Sequence, residues 1–196
     1  MTYDYIIIGG GIVGMSTAWQ MQQRFPDKKV LLLEKESVYS KHQTGHNSGV
    51  IHAGVYYAPG SLKAKFCKAG VAATMEFCQQ NDVPYDQCGK LLVATNALEL
   101  ERMNALFERC QQNDIAVELL DAEQLKVREP NIVGVGGILV KDTAIVNYQQ
   151  VTTKMAERFI EMGGDARLNH KVVGLDESAD EISVEAIHND EKVSFT

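Results

Sequence analysis

"YDYIIIGGGIVGMSTAWQMQQRF", residues 3–25, is the stretch on which the fold turns. Tyr3 to Ile8 is a short apolar run rich in β-branched residues, the signature of a buried strand. Gly9, Gly10 and Gly11 then turn the chain, and Ile12 to about Phe25 reads as a helix. A second run, Val30 to Leu33, ends at Glu34, about 20 residues beyond Gly14. Strand, glycine turn, helix, strand and terminal acid stand in the order of a dinucleotide-binding βαβ unit, with Gly9-x-Gly11-x-x-Gly14 as its fingerprint. In such a unit Gly9 permits the tight turn, Gly11 lets backbone approach a pyrophosphate, and Gly14 lets helix and strand pack closely. The diphosphate belongs at the helix N-terminus, where unpaired N–H groups favour negative charge. Glu34 would accept from ribose hydroxyls and repel a 2′-phosphate, which disfavours an NADP-like ligand.

Beyond this unit the chain reads as a soluble α/β protein. Its 196 residues, 45% of them hydrophobic, suffice for one sizeable domain or two small ones. The apolar runs are too short to cross a bilayer, and no basic leader with an apolar segment precedes the first strand. A net charge of -7 argues against a nucleic-acid partner, because phosphate backbones reward clustered Lys and Arg. The densest basic group, Lys63, Lys65 and Lys68, reads as a solvated helix face. Cys67, Cys78, Cys88 and Cys110 have no CxxC spacing, so free thiols in a reducing compartment are expected, and no metal site.

Further along, Leu62, Phe66, Ala69, Ala73 and Phe77 recur at helical spacing, predicting a helix from Ser61 to about Gln80 that buries that face. A strand is expected over Lys90 to Ala94 and a helix over Leu98 to Cys110, packed through Met103, Leu106 and Phe107. Asp121 and Gln124 form a capping-box pattern ahead of a short helix that Pro130 ends. "GVGGILVKDTAIVNY" reads as glycine-rich turns around a short strand. Asn147 and Gln150 open a helix burying Val151, Met155 and Phe159, which Gly163 and Gly164 terminate. Two last strands, Ile182 to Ile187 and Val193 to Phe195, flank a turn at His188 to Glu191. A Rossmann-like core interrupted by an insertion follows: residues 1–88 as the N-terminal segment, 89–141 as the inserted cap or substrate segment, and 142–196 as an incomplete return.

Between these elements, "HQTGHNSGVIHAGVYY" at residues 42–57 combines flexible backbone with many hydrogen-bonding side chains. Together with "IIIGGGIVG" and "LLLEKE", it resembles the FAD-dependent D-amino-acid oxidase superfamily, and within it the branch acting on L-2-hydroxyglutarate. "SLKAKFCKAG", "CGKLLVAT" and "REPNIVGVGGILV" extend the likeness over nearly all the chain. The resemblance implies an FAD-binding Rossmann-like fold with an interleaved smaller substrate domain. Relatives are longer, so an N-terminal portion truncated at the C-terminus is expected.

The implied activity is oxidation of L-2-hydroxyglutarate, a 2-hydroxy dicarboxylate, to 2-oxoglutarate. Electrons would pass to oxygen or a membrane quinone, from the cytoplasm or from peripheral contact with the inner face of a bacterial membrane. Alternatives are a related amino-acid or glycerol 3-phosphate oxidoreductase, and a noncatalytic dinucleotide-binding fragment. The family pattern places Gly9, Gly11, Ile12, Val13, Gly14, Glu34 and Lys35 on the ADP half of FAD. Thr44, Gly45, Asn47, Ser48 and Gly49 would line the pyrophosphate and ring side, and Val172 and Val173 would approach adenine.

His52 matches the histidine of the "IHGG" pattern in related flavoenzymes, although Ala53 replaces a glycine there. It is the first candidate for the base that removes the hydroxyl proton, with His46 second, because histidine titrates near operating pH. A residue beyond Thr196 competes for that role. His42 reads as a rim residue, and His170 and His188 as structural or exposed. Tyr56, Tyr57 and Lys63 are candidate partners for the substrate's carboxylates, whereas Arg102, Arg109 and Arg128 read as solvated helix charges.

Overall fold

The computed structural model describes residues 2–196. In chain order these form β1 (Tyr5–Ile8), α1 (Ile12–Arg24), β2 (Val30–Leu33), a 3₁₀ turn (Gln43–Gly45), β3 (Val50–Ile51), α2 (Leu62–Gln80), β4 (Tyr85–Asp86) and β5 (Lys90–Ala94). Then come α3 (Ala97–Gln112), β6 (Val117–Asp121), α4 (Ala122–Arg128), β7 (Gly136–Val140), β8 (Ala144–Val146) and α5 (Tyr148–Glu161). Four strands close the chain: β9 (Asp165–Arg167), β10 (Lys171–Glu177), β11 (Ile182–His188) and β12 (Glu191–Phe195). Two compact units result. One joins the segment ending at Ser48 to Asn147–Thr196; the other is Gly49–Val146. The units divide at 48/49 and 146/147, where the sequence reading put the boundaries at 88/89 and 141/142. Hydrogen bonding sets that division: β3 and β4 both pair on β8, so residues well before Gly89 are held within the inserted unit.

The discontinuous unit has three layers. Its central sheet is parallel, in the order β1-β2-β9. All four residues of β2 are buried, because alternate side chains point to opposite faces and both faces are covered. Val30 and Leu32 pack with Met15 and Ala18 of α1 and with Ala156 and Phe159 of α5. Leu31 and Leu33 pack on the other side with Val184, Ala186 and Phe195 of the antiparallel β10-β11-β12 sheet. Asn189 and Asp190 both take positive φ between β11 and β12, the two-residue turn whose twist matches a hairpin. α5 starts on Asn147, whose side chain accepts from the Gln149 and Gln150 N–H groups. It stops where Gly163 turns left-handed at φ +90.

At the edge of the central sheet, Arg167 donates through Nε and a terminal nitrogen to Asp165, and the same guanidinium donates to Tyr3 Oη at 2.9 Å. Tyr3 in turn donates to Asp165 at 2.6 Å. Burial pushes the Asp165 carboxyl up, but the bonds from Arg167 and Tyr3 outweigh it and hold the group below its ordinary value. The contribution is therefore complete above the unfolded pKa of about 4 and lost as pH falls through the lower folded value. Asp165→Asn is expected to be less stable than wild type at neutral pH, with the gap closing in acid. Urea midpoints measured from about pH 7 down to about pH 3 check this; a gap constant with pH would refute it.

The inserted unit holds two small antiparallel sheets, β3-β8-β4 and β5-β7-β6. "GVGG" is no mere turn: Gly136 and Gly137 lie inside β7, where a Cβ would come 3.2 Å from the carbonyl oxygens of Leu120 and Leu92. Close approach of both neighbouring strands explains the glycines. α4 begins on the expected box, with Asp121 Oδ1 accepting from the Gln124 N–H and Gln124 Oε1 accepting from the Asp121 N–H. α2 has the expected length, capped by Ser61. Its inward face is not the expected one. Leu62, Phe66, Ala69 and Ala73 are exposed and only Phe77 is buried; Ala64, Cys67, Val71, Thr74 and Cys78 form the half-buried to buried stripe. Lys63, Lys65 and Lys68 are exposed, as are Arg102, Arg109 and Arg128. No described helix is long and apolar enough to cross a membrane.

Candidate functional site

The glycine turn between β1 and α1 is shaped by contacts, not by sequence alone. Gly9 sits at φ +108, and its N–H donates to the Leu33 carbonyl at 2.8 Å. A Cβ on Gly14 would lie 2.0 Å from the Gly9 carbonyl oxygen, so α1 approaches β1 as closely as a glycine allows. Glu34 is buried, and its two carboxylate oxygens accept from the N–H groups of Gly10, at 2.5 Å, and Glu36, at 2.9 Å. The acid expected at a ribose thus also holds the turn together.

The Thr44 hydroxyl accepts from the Ile12 N–H at 3.0 Å, bringing the 3₁₀ turn to the N-terminus of α1. Val13 and Gly14 also belong to the first helical turn, where N–H groups have no acceptor within the helix. That turn contains no acidic residue, and Val13 is exposed. The arrangement suits an anion lying across the helix end. Gly45 is tightly enclosed, since a Cβ there would meet the Ser40 carbonyl at 2.3 Å and the Gln149 amide at 2.6 Å. Asn47 donates to the Thr44 carbonyl at 2.7 Å, tightening the same loop, and Ser48 is exposed.

Lys35 is exposed, 4.0 Å from Glu36. Glu36 also pairs with His42 at 2.8 Å and Lys41 at 3.1 Å, and these bonds, His42 first, hold its carboxyl below the ordinary range. His42 is therefore a loop fastener. Val172 and Val173 fall in β10, where the ladder passes from Val172↔Ala186 to Gly174↔Glu185 and leaves a bulge at Val173. His170 is buried and stacks on His188 at 4.2 Å, a structural pair.

Of the two histidine candidates, His46 is exposed in the discontinuous unit, with Nδ1 within 2.8 Å of the His42 carbonyl. His52 belongs to the inserted unit and is exposed just after β3. Gly49, the first residue of that unit, takes φ +68 beside the Val146 carbonyl. His52 lines a cavity of about 220 Å³ together with Tyr56, Tyr57, Lys90 and Thr143. Lys63 does not line it. Lys90 was not legible as a site residue, because it opens a strand about 40 positions away and only the folding of the inserted unit returns it to His52.

The family model for FAD dependent oxidoreductases (DAO) matches residues 4–194. L-2-hydroxyglutarate dehydrogenase of Escherichia coli (strain K12) is 59% identical over 175 residues, 89% of this chain and 42% of that protein. The mitochondrial L-2-hydroxyglutarate dehydrogenase of Homo sapiens is 44% identical over 176 residues, 89% of this chain and 38% of the relative. The chain thus spans less than half the length of these curated relatives. Among solved structures, L-alpha-glycerophosphate oxidase from Mycoplasma pneumoniae with FAD bound is 25% identical with a TM-score of 0.83, over 97% of this chain and 50% of that one. L-proline dehydrogenase from P.horikoshii superposes with a TM-score of 0.85 at 18% identity, over 99% of this chain and 51% of that one, a likeness of fold alone.

Proposed function

Because the chain belongs to the FAD dependent oxidoreductase (DAO) family, we propose that it is the FAD-binding portion of an enzyme oxidising L-2-hydroxyglutarate to 2-oxoglutarate. The observation that carries this reading is the identity with proteins named L-2-hydroxyglutarate dehydrogenase, sustained over nearly all of the chain. The glycine turn and the first turn of α1 fit the ligand: Gly9, Gly10 and Gly11 carry no side chain of their own, and Val13 and Gly14 offer N–H groups.

When bound, FAD supplies the acceptor for the α-hydrogen as hydride. The chain's own groups do the rest. Gly9, Gly11, Ile12, Val13 and Gly14 hold the diphosphate, and Glu34 uses lone pairs left over from Gly10 and Glu36 to accept from ribose hydroxyls. Lys35 sits at the same ADP half. Thr44, Gly45, Asn47, Ser48 and Gly49 shape the next stretch, and the bulge at Val173, beside Val172, presents backbone to adenine. His52 removes the hydroxyl proton, with His46 as the second choice. Electrons leave to oxygen or a membrane quinone, from the cytoplasm or at the inner face of a bacterial membrane.

The test is anaerobic absorbance of the FAD-reconstituted chain before and after L-2-hydroxyglutarate is added. Bleaching of the flavin bands with formation of 2-oxoglutarate is the expected result. Bound flavin that stays oxidised would leave a dinucleotide-binding portion without this activity. The fold shared with a glycerophosphate oxidase favours one other reading, oxidation of glycerol 3-phosphate; bleaching by that compound and not by L-2-hydroxyglutarate would select it.

A further inference from the structure

We propose that Lys90 is the residue that binds a carboxylate of the substrate, in the cavity it shares with His52, Tyr56 and Tyr57. Lys90, Leu92 and Ala94 project to one face of β5, and Leu91 and Val93 to the other. Leu91 and Val93 join the cluster of Leu120, Leu125 and Leu139. Leu92 and Ala94 join Ala53 and Val55. Lys90 therefore opens the face that packs on the 53–55 segment, and its ammonium stands at the margin of that apolar cluster, where the cavity lies.

The turn opposite is firmly built. Gly54, at φ +84, accepts from the Tyr57 N–H at 3.1 Å, and Asn113 donates to the Tyr57 carbonyl at 2.9 Å. Ala53 and Val55 are buried, so the two tyrosines that follow are carried on an anchored segment.

Within the cavity, charge singles out Lys90. Lys28, Lys41, Lys68 and Lys141 each pair with a carboxylate. Among the described residues no ion pair includes Lys90; its nitrogen lies 5.8 Å from the centre of the Tyr56 ring. An aromatic face attracts a cation without neutralising it. Of the residues lining the cavity, Lys90 alone carries a permanent charge, and His52, Tyr56, Tyr57 and Thr143 surround it with hydrogen-bonding groups. One unneutralised ammonium among phenol, imidazole and hydroxyl groups matches a small carboxylate that also bears a hydroxyl or keto oxygen. This rests on the reading of the protein as a 2-hydroxy acid oxidoreductase, and assigns one of the cations that a dicarboxylate requires.

The test is calorimetric titration of the chain and its Lys90→Gln and Lys90→Arg variants with glutarate, 2-oxoglutarate and the neutral diamide of glutarate. Both dicarboxylates are expected to bind the wild-type chain. Their Kd should rise roughly 10- to 100-fold in Lys90→Gln, as loss of a charge-assisted bond implies, and recover in part in Lys90→Arg. The diamide should not distinguish the three proteins. Equal Kd values for the dicarboxylates in wild type and Lys90→Gln overturn the proposal, as does their failure to bind the wild-type chain. Thermal melts of the variants guard against misfolding as the cause. The two readings fail separately: glutarate binding that depends on Lys90 without flavin bleaching by L-2-hydroxyglutarate leaves the anion site and removes the oxidation. Bleaching with an unchanged KM in Lys90→Gln does the reverse.

Discussion

Replacing Gly14 by alanine is expected to destabilise the discontinuous unit by about 3 kcal/mol or more, the upper end of what overpacking costs. In an ordinary helix the same change stabilises by up to about 1 kcal/mol, because alanine is the better helix former. The sign reverses here because the new Cβ would sit 2.0 Å from the Gly9 carbonyl oxygen and 3.1 Å from its carbon, both backbone atoms of the adjoining turn. Neither can swing aside as a side chain would. Either α1 lifts off β1 or the turn opens, and both movements disturb the N–H groups that would face a diphosphate. Urea unfolding gives the stability and a flavin titration the affinity. A Gly14→Ala chain as stable as wild type, or more so, would mean that the helix does not approach the strand this closely.

Phe159→Ala is expected to cost about 3–5 kcal/mol, the range for truncating a fully buried aromatic residue. Phe159 is wholly buried in the layer formed by Met15, Ala18, Val30, Leu32 and Ala156. Gly164 lies against its ring, where even a Cβ would come within 2.1 Å of a ring carbon. With stability typically 5–15 kcal/mol in total, the loss consumes a large share of it. Phe159→Leu, which keeps most of the volume, should lose much less, and a shift in urea midpoint with an unchanged slope would locate the effect in the native state. If the alanine and leucine variants unfolded alike, the cavity account would be wrong.

Local chemistry made the front of the chain readable. The strand, the glycine turn, α1 and β2 emerge where they were expected because each is set by neighbours close in sequence. The box at Asp121 and the hairpin turn at Asn189 and Asp190 are likewise short-range devices. α2 shows where that logic stops. Two stripes on it have helical spacing, a bulky one through Leu62 and Phe66 and a smaller one through Ala64, Cys67 and Val71; periodicity could not choose, and the smaller one faces inward. Strands of two or three residues, β3, β4 and β9, carry too little pattern to detect, and β6 exposes most of its side chains. Candidate site residues were legible by type, not by partner. Sequence suggested Glu34 as a ribose ligand; the backbone N–H groups it already receives appear only in the folded turn. His46 and His52, six positions apart in sequence, fall in different compact units.

The bonds from Gly10 and Glu36 to Glu34 also have a kinetic meaning. A glycine turn is the most entropic stretch of any chain, and left loose it would wander through many shapes. Clasped by a buried carboxylate from the end of β2, it is already set before anything approaches. A ligand lying along it meets a finished surface and gives up little binding energy to order the chain. Association of such a ligand would then be governed by encounter and not by waiting for a rare conformation. Glycine supplies the compliance with which the turn is made, and a single acid supplies its rigidity.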